Sequence, residues 1–106
     1  MHEWTTLTTR YGVTTQIVDS TTLRNALTEL FTSPRDDEHP DCWIECGSQD
    51  GPLYTLNIFQ SWYGIYTKYS DVDMTEELET KELKAPTVEA ALRLWEALIH
   101  ERYEEL

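Results

Sequence analysis

The chain has 106 residues and carries 20 Asp and Glu against 8 Lys and Arg, a formal net charge of −12 at pH 7. That balance excludes a domain that binds nucleic acid by neutralising phosphates, and it disfavours docking on an anionic membrane surface. A hydrophobic content of 40% with only four Gly and four Pro excludes a disordered acidic tail and predicts one folded domain spanning residues 1–106.

Residues 4–18 are rich in Thr, Val and Ile with Tyr11-Gly12 as a turn, so they read as extended structure, either one broken strand or a small hairpin. Asp19-Ser20 then offers N-cap side chains, and Leu23, Ala26, Leu27, Leu30 and Phe31 trace one helix face. Pro34 disfavours helix in the residue before it, which ends this helix near Ser33. Residues 34–41 hold two prolines and four acids, a solvated loop. Strands follow over 42–46, 53–59 and 61–69, joined by connections short enough to make them a three-stranded antiparallel meander. Residues 71–84 are acidic and weakly patterned, with room for a short strand or one helical turn. Pro86 and Thr87 start a closing helix, whose stripe of Val88, Ala91, Leu92, Trp95, Leu98, Ile99 and Arg102 runs to the C-terminus. The expected fold is α+β: an antiparallel sheet of N-terminal strand(s) plus the meander, with both amphipathic helices mostly on one face.

No basic segment followed by an apolar core opens the chain, and no apolar run approaches the ~18 residues a bilayer span needs, so a cytoplasmic protein is expected. Cys42 and Cys46 share one face of a strand, too far apart to bridge, and read as reduced thiols.

The charge is unevenly placed. Residues 1–35 hold three acids and three bases, whereas residues 36–106 hold 17 acids and 5 bases. Asp36, Asp37, Glu38 and Asp41 precede the meander; Asp71, Asp73, Glu76, Glu77, Glu79 and Glu82 follow it; Glu101, Glu104 and Glu105 close the chain. The first two groups are expected near one another at the sheet's rim, forming a single negative field. Seven of the twelve aromatic residues fall between 43 and 69, and strand alternation sends Trp62 and Tyr66 to one face and Tyr63, Ile65 and Tyr69 to the other. Aromatic anchors beside a charged rim suit a protein-binding patch. The candidate partner-binding residues are therefore Asp36, Asp37, Glu38, Asp41, Trp62, Tyr63, Tyr66, Asp71, Asp73, Glu76, Glu77 and Glu79. The same Trp and Tyr residues would equally serve as ordinary strand formers paired across the sheet.

Other chemistry is poorly supplied. Residues 71–82 space oxygen ligands like a calcium loop, but Glu76 occupies the position that needs glycine, and the segment follows a strand. His39, Cys42 and Cys46 offer three zinc donors without an evident fourth. No nucleophile motif or glycine-rich phosphate loop is present. The expectation is a protein without catalytic residues, metal or cofactor, monomeric or homodimeric, that binds a protein and neither nucleic acid directly nor membrane.

Small size, acidity, an aromatic meander and the closing helix from Thr87 to Trp95, with Ala and Leu on its inner face, resemble the immunity proteins of bacterial polymorphic and contact-dependent toxin systems. The resemblance covers most of the chain in layout and only the closing helix in wording. It implies a cognate toxin, a nuclease- or deaminase-type domain with a basic active-site cleft, occluded by an acidic and aromatic surface. It carries over no contact residue. A DNA-mimic regulator, a homo-oligomeric protein that pairs its aromatic sheet face with itself, and a small enzyme are the alternatives.

Overall fold

Period-two alternation builds one layer of the molecule, and the 3.6-residue stripe builds the other. In the computed structural model, which describes residues 2–35 and 37–106, the strands are β1 (Trp4–Thr8), β2 (Thr14–Thr15), β3 (Asp41–Gly47), β4 (Leu53–Phe59), β5 (Tyr63–Tyr69) and β6 (Glu77–Lys84). They form a six-stranded antiparallel sheet in the order β2-β1-β3-β4-β5-β6. Helix α1 (Ser20–Thr32) follows β2, α2 (Val88–Ile99) follows β6, and a 3-10 turn occupies Tyr103–Glu105. The N-terminal alternative resolves as a hairpin, with Leu7 paired to Thr15 and Thr8 to Thr14.

Both helices lie on the same side of the sheet. Strand pairing lines up Leu7, Ile44, Leu56 and Tyr66 across β1, β3, β4 and β5, with Cys42 beside Ile58 in the next row. These side chains meet Leu23, Ala26, Leu27 and Leu30 of α1 and Ala91, Leu92, Trp95 and Leu98 of α2 in one core. Each fully buried leucine or isoleucine contributes roughly 1.5–3 kcal/mol. Trp95 is wholly buried, and its indole Nε1 donates to the Leu56 carbonyl at 3.0 Å, which pins α2 to the central strand β4.

Local signals set the helix ends. The Asp19 carboxylate accepts from the Thr22 amide at 2.8 Å, and the Thr87 hydroxyl from the Ala90 amide at 3.0 Å. The hydrogen bonds from Thr22 hold the Asp19 carboxyl below its usual range, so this cap is intact at neutral pH and is lost as the pH falls through that lowered value. At the other end of α1, the buried Arg10 donates to the carbonyls of Leu30 (3.5 Å), Pro34 (3.5 Å) and His39 (3.0 Å). Gln60 Nε2 also reaches the Leu30 carbonyl, at 2.9 Å. Together they satisfy the Leu30 carbonyl, which the helix end leaves open, and Arg10 ties the following loop to it.

Two expectations are corrected. The stripe of α2 does not run to the C-terminus: the helix stops at Ile99, where the amides of Glu101 and Arg102 turn back to the carbonyls of Leu98 and Ala97 and Glu101 takes a left-handed φ of 58°. Tyr103 and Leu106 then fold onto the core. The acidic segment after β5, read as a short strand or a helical turn, contains the eight-residue strand β6, so the meander has four strands. As an edge strand exposed on both faces, β6 needs no apolar alternation, and its Glu and Lys residues discourage pairing with other chains. Among the described residues, no helix is long and apolar enough to cross a membrane.

Cys42 and Cys46 are free thiols facing the core, both fully buried. Burial pushes the Cys46 thiol up to about 11 and raises that of Cys42 further. Ellman's reagent at pH 8 is therefore expected to titrate neither thiol in the folded protein and both in denaturant. Rapid labelling of the native chain would contradict this packing.

Candidate partner-binding face

The sheet face opposite the helices is the candidate site, because among the described residues no helix covers it. Its central rows read Glu45-Thr55-Thr67-Thr80 and Trp43-Asn57-Ile65-Glu82 across β3 to β6, flanked by Asp41-Phe59-Tyr63-Lys84 at one end and Gly47-Leu53-Tyr69-Glu77 at the other. Trp4 lies over Gly47, where a Cβ atom would meet the indole at 2.7 Å, so only glycine admits this contact. Leu53, Thr55 and Thr67 are buried beneath their neighbours, while Trp43, Phe59, Tyr63, Ile65 and Tyr69 are half-exposed.

The polar groups of this face are held by one another. Trp43 Nε1 donates to Glu45 Oε1 at 3.1 Å, Asn57 Nδ2 donates to Asp41 Oδ2 at 2.8 Å, and the rings of Phe59 and Tyr63 stack with centroids 4.7 Å apart. Side chains restrained in this way lose little rotamer freedom on binding. Between them lies a depression of about 250 Å³ lined by Trp43, Glu45, Thr55, Asn57, Tyr69 and Met74.

Met74 comes from the acidic β5–β6 connection, which is internally ordered. One oxygen of Asp71, Oδ1, accepts from the Asp73 amide (3.0 Å), the Thr75 amide (3.3 Å) and the Thr75 hydroxyl (3.1 Å), and the Ser70 amide bonds the Glu76 carbonyl at 2.8 Å. The loop thereby presents Val72 and Met74 exposed among Asp73 and Glu76, and the exposed Glu77 and Leu78 follow at the start of β6.

The sequence-predicted residues separate into groups. Glu38, Asp41, Trp62 and Tyr63 lie at one end of the strands, with Asp37 in the same loop; Asp71, Asp73, Glu76 and Glu77 lie at the other. Asp36 is outside the described residues. The expected single field at one rim is thus two fields about 20 Å apart, the length of a seven-residue strand. An odd number of antiparallel strands, three from β3 to β5, makes the chain leave at the end opposite to the one it entered.

Tyr66 is on the helix side and only 3% exposed, and Glu79 also faces that side, 3.2 Å from Lys81. A bulge opposite Lys68 and Tyr69 changes the alternation along β6, which leaves Glu77 and Glu82, rather than Glu79, on the open face. Trp62 does not share a strand face with Tyr66. It sits in the β4–β5 turn at a left-handed φ of 67°, a position that favours glycine, with its ring stacked on Phe31 at 4.0 Å and 45% of its surface exposed. Trp43, Glu45, Asn57, Phe59, Tyr69 and Met74 are additions: parity counted from Tyr63 selects Tyr69 within β5, and only the pairing of β3 and β4 with it adds Trp43, Glu45, Asn57 and Phe59.

Among the described residues, no group of three or more His, Cys, Asp or Glu side chains is placed to hold a metal ion. His39 packs its ring against Tyr11, 5.2 Å away, while both cysteines point into the core. Comparison with protein-family models, curated proteins and solved structures finds no match for this chain. Its function is therefore argued from the surface it presents.

Proposed function

We propose that this chain is a small acidic inhibitor that binds a basic protein domain, of the nuclease or deaminase type found in bacterial toxin systems, and covers its active site as an immunity protein does. The observation that carries this reading is the sheet face left open by the helices. Half-exposed Trp43, Phe59, Tyr63, Ile65 and Tyr69 lie there among four strand carboxylates, Asp41, Glu45, Glu77 and Glu82, with Lys84 as the single strand ammonium among the described residues. Aromatic anchors supply binding energy when water is excluded from them, and surrounding carboxylates attract a basic cleft while rejecting acidic partners.

Coexpression with candidate toxin domains in a bacterial host, beginning with the product of any adjoining toxin gene, tests the proposal. Rescue of growth together with capture of the domain supports it. Capture without inhibition, or displacement of a DNA-binding protein from DNA instead, contradicts it. With a captured partner in hand, Trp43→Ala, at the centre of the face, is expected to speed dissociation about tenfold or more, and Trp62→Ala, in the β4–β5 turn with its ring against α1, to do so by less. Surface plasmon resonance separates the two rates, and circular dichroism verifies that both variants are folded.

A further inference from the structure

The helix-covered side of the sheet holds a second feature, unconnected with the docking face. Near β5 and β6, beside the 3-10 turn, a pocket of about 210 Å³ is lined by Tyr54, Tyr66, Lys68, Glu79, Lys81 and Tyr103. Strand pairing sets Tyr54, Lys68 and Glu79 in one row and Tyr66 beside Lys81 in the next, and the turn brings Tyr103 onto Tyr54 with ring centroids 5.3 Å apart.

The two ammonium groups are not equivalent. Lys81 Nζ is 3.2 Å from Glu79 Oε1 and donates to the Leu106 main-chain oxygen at 3.5 Å, so its charge is already met. Lys68 Nζ lies 5.7 Å from the centre of the Tyr54 ring and has no carboxylate within ion-pair distance among the described residues. Beside it, Tyr66 is 97% buried, and its hydroxyl has no hydrogen-bond partner among the described residues. Burial, reinforced by Glu79, pushes this phenol up to about 12, which keeps it a proton donor throughout the neutral range. The Tyr66 hydroxyl opens onto the pocket, where it can donate a hydrogen bond to a bound acceptor.

We propose that this pocket binds a small aromatic carboxylate, with the acid group between the Lys68 ammonium and the Tyr66 hydroxyl and the ring against Tyr54 and Tyr103. Lys68 is the one ammonium of the lining that no carboxylate meets, and a carboxylate ligand would supply that partner. Its volume lies below that of pockets for drug-sized molecules and suits a single ring. The tyrosine walls favour a flat apolar body over a bare ion.

Benzoate is the probe, titrated into isotopically labelled protein and followed by amide chemical shifts, with benzamide and inorganic phosphate as comparisons. Saturable shifts centred on Tyr54, Tyr66, Lys68 and Tyr103 are expected, with benzamide binding about tenfold more weakly or worse. Lys68→Met should weaken benzoate about tenfold, while Lys84→Met, on the opposite face, should leave it unchanged. Tyr66→Phe should weaken benzoate about threefold or more without lowering the melting temperature, since the hydroxyl it removes is unpartnered. Scattered or unsaturable shifts, equal binding of benzamide or phosphate, indifference to Lys68→Met, or a clear loss of stability in Tyr66→Phe would each overturn the proposal.

Discussion

Trp95→Ala is expected to destabilise the fold by about 3–5 kcal/mol, the largest effect of any single substitution considered for this chain. The indole is wholly buried between α2 and the sheet, and its Nε1 donates to the Leu56 carbonyl. Alanine would leave a cavity where the helix layer meets the central strand. For a domain of this size such a loss lowers the melting temperature by very roughly 15–30 °C. Trp95→Phe keeps most of the volume and removes the hydrogen bond, so its cost should be nearer 1–2 kcal/mol plus a smaller packing term. Urea denaturation of both variants measures the two contributions. A shift of only a few degrees for Trp95→Ala would mean that α2 is not anchored here.

The second large effect concerns association with the proposed basic partner. Neutralising Asp71, Asp73, Glu76 and Glu77 together, as Asn or Gln, is expected to slow association about tenfold at low salt and to flatten its salt dependence, with a smaller change in dissociation. Asn at position 71 keeps a carbonyl oxygen to accept from Asp73 and Thr75, so the loop should hold its shape. Because the two acidic ends lie about 20 Å apart, they act separately at physiological ionic strength, where the screening length is about 8 Å, and merge only near 0.01 M salt. The remaining acids at the Asp41 end should therefore preserve part of the steering. Stopped-flow association across a salt series checks this, and a rate indifferent to both salt and the four substitutions would remove steering from the proposed function.

Much of the architecture was legible from contiguous residues. The Leu23, Ala26, Leu27 and Leu30 spacing marked α1, and the Asp19 and Thr87 side chains marked where the helices begin. Strands β3, β4 and β5 carried an alternation that survived into the fold with Cys42, Ile44, Leu56 and Ile58 inward. The β6 strand was hidden because nothing packs on most of it: Glu77, Glu79, Glu82 and Lys84 satisfy an edge, and an edge asks only for backbone pairing. Trp62 falls outside β5 because the strand begins at Tyr63, two residues after the expected start at 61, and the three-residue β4–β5 turn ends on Trp62. Tyr66 looked like a surface anchor because its composition suits either face, and only the row it shares with Leu56 puts it under the helix layer.

The sequence by itself determined the α+β class, the two amphipathic helices, the acidic charge and the concentration of aromatic residues in the meander, because each depends on composition or on neighbours a few residues apart. The tertiary structure alone decided which side chains share a surface. Helix packing on one side exposed Trp43 and Tyr69 and buried Tyr66, and the bulge in β6 turned Glu79 away from Glu77. Strand count sent the two acidic groups to opposite ends of the sheet, a consequence of chain direction that no local pattern encodes.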